Sequence, residues 1–461
     1  MPFLFPFSPF FLFTQRGFVA TRLRLLLLLL VSLLTSSCGL AFRSQGAQPS
    51  FGAPSSHPCP PLSAIHLVDR NGVSETISQQ DRLREFRAMN FLKNQPYKKV
   101  MRIFGQDGDG EVLAIITSYY ENGQLSRYLE AVNGRSHGYY REWYDNGQLH
   151  IEAFIVGGLA DLTPVAEESW LYQGMARVWD RDGHLQATIP YLKGRLEGLA
   201  LHYHPSGALW KQFPYRNNLL EGQCLTYYAN GTLLQKIAYV QGKKEGEAFR
   251  YWPDGSLAFQ EEWHRDSLMN GSYYDLSGVL VAQIERGSGR RALFGKSGVI
   301  QLQEYRQGSQ EGEVRAIDEK GRTRQLWYLN REGEKEGIER EFWCEEEEEE
   351  PLKPKLEVTW SSGMLQGKAT TWYRDGTLQS QRELVANQKN GMLTAWYRDG
   401  SLMLVEQYEK ERLIRGEYYR RGESYPISEI DDGDGLATLY DEEGIFLHKV
   451  IYQGGRPLLV D

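Results

Sequence analysis

The sequence predicts an all-β protein, an elongated antiparallel β-meander of about a dozen hairpin repeats of roughly 24 residues with one short N-terminal helix. Three observations predict it. The first is self-similarity: Gly198-Leu-Ala-Leu-His-Tyr203-His-Pro-Ser-Gly207-Ala-Leu209 is followed by Gly222 to Leu233 and by Gly246 to Leu257. Each copy has a glycine, an aromatic five residues on, a second glycine and a leucine two beyond it. The second is alternation: Leu199, Leu201 and Tyr203 point one way, Ala200, His202 and His204 the other. That is a strand period, not a helical one. The third is the dipeptide at the second glycine, Asn230-Gly231, Asp254-Gly255, Asn146-Gly147 or Asp375-Gly376. Asn-Gly and Asp-Gly supply the positive-φ positions that short hairpin turns need.

After the turn a second strand follows, with Leu at turn glycine plus two and an aromatic at plus eight: Leu209 with Tyr215, Leu233 with Tyr239, Leu257 with Trp263. A glycine near plus eleven, Gly194 or Gly242, closes the unit. A lone hairpin is marginal in water, so stability must come from stacking units side by side. The aromatics at first glycine plus five are Trp143, Trp179, Tyr203, Tyr227, Tyr251, Trp372, Trp396 and Tyr440. In a meander they stand in a row, and cross-strand aromatic pairs contribute roughly 0.2–1 kcal/mol each. They are structural residues first and candidate binding residues second.

In chain order, residues 1–37 read as a secretory signal peptide: basic Arg22 and Arg24, an apolar run from Leu25 to Leu34, then small residues. The apolar run is too short for a membrane span. A leader of ordinary length starts near Val19. Cys38, after two serines, resembles the acylated cysteine of a bacterial lipobox, although Thr35 stands where a leucine is usual. An acyl chain there anchors the protein to a membrane. Residues 38–62 have tether composition. Residues 63–110 hold a hairpin (Ile65 to Ile77 around Asn71-Gly72), a helix expected over Asp81 to Leu92 that caps the sheet, and a further hairpin. Residues 111–270 carry regular repeats, with a 12-residue insertion near Leu159–Trp170. Residues 271–337 are divergent, interrupted by Gly287-Ser-Gly-Arg-Arg291, which leaves the continuity of the sheet there open. Residues 338–461 resume the repeat, broken by Cys344 and the run Glu345 to Glu350.

The pattern Gly-x4-Tyr/Trp-aromatic-x-Asn/Asp-Gly-x-Leu resembles the MORN-repeat variant of bacterial proteins, the group labelled YwqK-like antitoxins. The resemblance covers most of residues 111–455 and implies a meandering hairpin array used as a binding or scaffolding surface. Related arrays are associated with membrane lipids and protein partners, and the antitoxin label implies that some members neutralise a toxin.

The composition excludes several classes. A net charge of −8 argues against nucleic acid as a partner. Besides Cys38, three scattered cysteines (Cys59, Cys224, Cys344) form no disulfide framework. There is no phosphate loop, zinc-ligand spacing or nucleophile elbow. Gly105 to Gly110 lacks the ligand spacing of a calcium loop and reads as a turn. His202 and His204 share a strand face without a third ligand in register. No catalytic residue, metal site or cofactor is expected. The sequence points to a non-catalytic, lipid-anchored scaffold at the cell envelope, on the outer membrane where one exists, that binds a protein through its aromatic row. The alternatives are a cytoplasmic antitoxin and an envelope hydrolase sited in the divergent repeats.

Overall fold

The computed structural model describes residues 60–343 and 352–458. The leader, Cys38, the tether up to Cys59, Cys344 and the glutamate run lie outside the described residues. The chain forms two compact units, one up to Gly207 and one from Ala208 on.

In the first unit Leu62–Asp69 lies between Ser74–Ile77 and Tyr97–Gln106, antiparallel to both. From there each strand pairs with the next through Val112–Tyr119, Leu125–Val132, Arg135–Trp143, Leu149–Ile155, Tyr172–Trp179 and Leu185–Leu192 to Gly198–Tyr203. The helix α1 spans Gln80–Arg87, shorter than the spacing suggests. It stops because Phe91, on the continuing loop, turns inward rather than extending the helical stripe. Leu83 and Phe91 are buried with Ile65, Leu67, Ile77 and Val100. A second helix, which the sequence pattern does not signal, lies inside the insertion: α2, Pro164–Glu168. Thr163 caps it and Pro164 opens it, where the missing N–H costs nothing.

The second unit is a meander of the same kind, from Leu209–Arg216 to Phe446–Gln453 and the short Arg456–Pro457. The divergent stretch does not break it. Ser267–Tyr274, Leu280–Glu285, Ser288–Phe294, Val299–Arg306, Ser309–Ile317, Thr323–Leu329 and Gly337–Phe342 pair in sequence without a gap. Arg286-Gly287 is a turn and Gly289 lies within the next strand, so these residues make an ordinary hairpin and not an interruption. The unit's main buried cluster is centred here, on Trp252, Phe259, Trp263, Tyr273, Ile284 and Phe294. Aromatics persist, but displaced from the offsets of the regular copies. On either side of the glutamate run, Phe342 still pairs with Pro354, so Gly337–Phe342 and Pro354–Ser361 are antiparallel neighbours.

The two ends of each hairpin use different chemistry. At the Asn/Asp-Gly end the amide of the glycine donates to the residue three back, Gly147 to Tyr144 and Gly376 to Tyr373. Only the glycine has positive φ there. These are type I turns followed by a left-handed glycine, not the two-residue primed turns that Asn-Gly suggests. The Asn or Asp instead works through its side chain: Asn146, Asn230, Asp254 and Asp399 each accept from the amide two residues on. The primed turns sit at the other end, where one unit passes to the next. Both residues have positive φ at Lys193-Gly194, Gln241-Gly242 and Asp432-Gly433, and also at Arg265-Asp266, Ala386-Asn387 and Lys410-Glu411.

A left-handed conformation costs an L-residue roughly 1–2 kcal/mol. Ala386 (φ 50°) has no polar side chain to offset it. Ala386→Gly is therefore expected to stabilise the second unit by about 1 kcal/mol, read as slower amide exchange in Leu378–Val385 and Gln388–Trp396; faster exchange contradicts the turn assignment.

Candidate functional site

The eight aromatics singled out in the sequence end strands, next to the glycine turns (Asn/Asp-Gly in six, Ser206-Gly207 and Glu443-Gly444 in the others), and all are half-buried. Trp143, Trp179, Tyr227, Tyr251, Trp372 and Trp396 each pair across the hairpin with the leucine two after the turn glycine. Tyr440 pairs with Phe446 in that position, and Tyr203 ends Gly198–Tyr203. Each paired ring thus has a fixed apolar neighbour across the hairpin. The two sequence offsets describe one contact.

The adjacent position, first glycine plus six, holds the more buried rings. Trp252, Tyr373 and Tyr397 are 1%, 3% and 0% exposed. Here the side chain reaches forward by one repeat and donates to the backbone carbonyl at the end of the next hairpin. Tyr120 reaches Trp143 (2.6 Å), Tyr144 reaches Trp179 (3.1 Å) and Tyr228 reaches Tyr251 (2.9 Å). Tyr373 reaches Trp396 (2.8 Å) and Tyr397 reaches Tyr419 (2.7 Å). Trp343 does the same with its indole, to Trp372 at 3.3 Å. The doubled aromatic in the repeat is the visible trace of this ladder, whose second member has the distinct task of joining units.

The face on which these units pack is lined by small residues. At first glycine plus two stand Ala176, Ala200, Cys224, Ala248, Ala369 and Ala437, all buried, whereas Leu199 is exposed. His202, between Ala200 and the turn, is buried on that face and His204 is half-buried. Burial pushes the Cys224 thiol up to about 12, so at neutral pH it is a small apolar group and not a nucleophile.

Buried carboxylates appear where larger residues take the place of the small ones. Glu261, 2% exposed, accepts from Trp263 Nε1 (2.9 Å), Tyr273 OH (2.8 Å) and Arg291 Nε (2.7 Å). Glu406 accepts from Tyr408 OH (2.9 Å) and Tyr418 OH (2.8 Å). In both, the carboxylate lies directly across from a glycine, Gly271 or Gly416. A Cβ there would meet the hydroxyl of Tyr273 at 2.6 Å or of Tyr418 at 2.9 Å. These two glycines are kept free for a ring folding back toward the glutamate, not for a special φ. Burial and the neighbouring carboxylate raise both phenols above the ordinary range. Burial opposes the Arg291 charge, but Glu261 more than offsets it, so the guanidinium keeps its charge. This is a structural arrangement: donors, acceptors and charge are all satisfied internally.

A shallow open depression in the divergent repeats is lined by Ser288, Arg290, Glu304, Arg306, Glu313 and Tyr328. Its carboxylates face arginines, Arg306 with Glu304 at 3.0 Å and Arg315 with Glu313 at 2.8 Å. Neither is poised as a general acid or base. Asp180, Asp182 and His184 lie within reach of one another, but Asp180 is already capping its turn by accepting from the amides of Asp182 and His184. The Gly105–Gly110 segment is the expected turn, closed by Asp107 and Glu111.

The same repeat is found in known proteins. Residues 136–155, 196–217 and 220–241 match the MORN repeat variant family, and residues 238–257 and 359–378 match the MORN repeat family. The chain carries MORN repeats. Repeats of this kind indicate a protein-binding scaffold, and the family is generally non-catalytic. No curated protein matches the chain. Among solved structures, a TcdB2-TccC3-TEV crystal structure aligns over 84% of this chain and 24% of that chain, at 12% identity and a TM-score of 0.14. A TcdB2-TccC3-Cdc42 structure aligns over 81% and 24%, at 12% identity and 0.13. A porin-like protein from Bacteroides uniformis aligns over 57% of this chain and 96% of its own, at 10% identity and 0.13. Scores this low bear on neither fold nor function.

Two outcomes follow from the MORN ladder and its buried carboxylate. Tyr397→Phe leaves the Tyr419 carbonyl short of a donor and costs about 1–3 kcal/mol, seen as faster exchange in both Gln388–Trp396 and Arg412–Tyr418; an effect confined to the first contradicts the ladder. Glu261→Gln leaves Arg291 without its counter-charge and costs about 3–5 kcal/mol, whereas Glu261→Leu with Arg291→Met removes the lone charge but still strands the Tyr273 hydroxyl and the Trp263 N–H and recovers only part of the loss, both read from denaturant unfolding midpoints.

Proposed function

We propose that this is a non-catalytic, exported and lipid-anchored repeat protein that serves as a protein-binding scaffold at the bacterial cell envelope. The observation that carries the proposal is the coupling of MORN repeats to a leader that ends in Thr35-Ser-Ser-Cys38 and a tether-like stretch. An acyl group on Cys38 holds the protein at a bilayer, and the tether gives the repeats reach. Among the described residues no helix is long and apolar enough to cross a membrane. The buried carboxylates and tyrosines satisfy one another, which supports a surface that binds rather than reacts. The exposed residues at first glycine plus one, including Tyr139, Met175, Leu199, Ile338 and Met392, offer apolar contact area on the opposite face.

Metabolic labelling with palmitate tests the anchor. Wild type is expected to be labelled and to sediment with membranes, and Cys38→Ala to lose both; an unlabelled, wholly cytosolic wild-type protein overturns the reading. Affinity capture from envelope extracts tests the scaffold. A specific protein retained by wild type but reduced by substitutions at Trp372 and Trp396 supports it, and recovery no better than background counts against it.

A further inference from the structure

The insertion in the first unit shows what this sheet accepts on its packed face. Leu162 and Trp170 are buried against Ile116, Leu129 and Tyr140, with the Trp170 and Tyr140 rings 4.8 Å apart, and Ala166 is buried as well. Two cations on that face each meet a carboxylate of the insertion. Arg127 Nη1 donates to Glu167 Oε1 at 2.7 Å and to the Leu162 carbonyl at 3.1 Å, and Lys99 is paired with Asp161. Lys99, Ser118 and Arg127 are successive cross-strand partners, two strand spacings or about 10 Å apart. A short segment with two acids and two or three apolar anchors therefore covers the sheet and neutralises it.

The second unit repeats the cations without the cover. Lys211, Thr226, Gln235 and Arg250 are successive cross-strand partners on the face that buries Cys224 and Ala248. Lys211 stands at turn glycine plus four, as Arg127 does. Neither Lys211 nor Arg250 has a carboxylate partner among the described residues, although both are half-buried. Burial alone lowers the Lys211 ammonium, and burial with no nearby carboxylate lowers Arg250. Lys211 Nζ packs 3.8 Å over the Trp210 ring, and Arg250 lies 6.0 Å from Phe294. Arg250 Nε is buried without an acceptor, and so is Nε1 of Trp252, which is 1% exposed and packs on the same Phe294 ring. A buried donor with no acceptor costs about 1–3 kcal/mol. The Arg250 guanidinium and the Trp252 N–H beside it form a site lacking its anionic half among the described residues.

We infer that this face, from Lys211 to Arg250, binds a short acidic segment of a protein partner, in the manner of the chain's own insertion. The inference rests on the scaffold reading above and names the chemistry of its partner. Three strand spacings separate the cations, about 14 Å. The segment thus carries two carboxylates that far apart, about four residues in an extended stretch or about nine in a helix. A Trp or Leu between or beside them packs on the half-buried members of the row, Thr226 and Gln235, as Trp170 packs on Tyr140.

The test is selection of a displayed 12-residue peptide library on the purified full chain. Selected peptides are expected to be enriched in paired Asp or Glu with Trp or Leu, and to lose at least tenfold in affinity on Lys211→Gln/Arg250→Gln. A charge reversal, Lys211→Glu/Arg250→Glu, should bind basic peptides instead, with circular dichroism confirming that both variants fold. Peptides without acids, or acidic peptides bound equally by the variants, overturn the inference while leaving the scaffold reading to the affinity capture above. No enrichment overturns it too, and so does binding of phosphatidylglycerol vesicles, but not peptide, that the double variant loses.

Discussion

A tyrosine hydroxyl that reaches one hairpin forward is the interaction on which the rest depends. A sheet with no second layer gives its hairpins little to pack against except each other, and a lone hairpin is marginal. The bond from Tyr373 to the Trp396 carbonyl, like those from Tyr120, Tyr144, Tyr228 and Tyr397, ties its hairpin to the next at the end where the chain reverses. The row of small buried residues then follows, because rings lying across the sheet need shallow neighbours. So does the use of glycine opposite Glu261 and Glu406, where even a methyl would collide with a tyrosine.

Much of this is legible in the residues themselves. Hairpin period, strand alternation and the closing glycine each report a local rule, and local rules are what one sequence records. The aromatic at plus five can be found because it recurs, but its division of labour with plus six cannot, since both are aromatic in most copies. Turn type misleads for a similar reason: Asn-Gly is compatible with a primed turn, yet Asn146 acts through its side chain and leaves positive φ to the glycine. The divergent repeats read as broken because pairing continues through backbone groups that carry no sequence signature, while the rings move to Tyr273, Phe294 and Tyr305. The helix in the insertion is too short to show a period, although Thr163-Pro164 marks its start. Nothing in the sequence marks Lys211 and Arg250 as a pair. They meet only through register across four strands.

The charged groups of the packed face divide into two kinds. Glu261 with Arg291, and Glu406 with its two tyrosines, are complete within the fold and give it rigidity. Such groups specify which strands lie together, since a slip of one residue would send each carboxylate to the other face. The cations of the Lys211–Arg250 row have no such partner among the described residues, and in the first unit the corresponding demand is answered by an inserted segment. One surface therefore serves as core where the chain covers it and as a recognition surface where it does not.

Because donor and acceptor of the forward-reaching bond recur at the same offsets in successive copies, excising one whole copy would bring an equivalent hydroxyl and carbonyl together again. Array length can then drift by entire modules without leaving a seam. Loss of an odd number of residues within a strand would invert its side chains as far as the next turn, so whole-copy gain and loss is the least disruptive way for such a chain to lengthen or shorten.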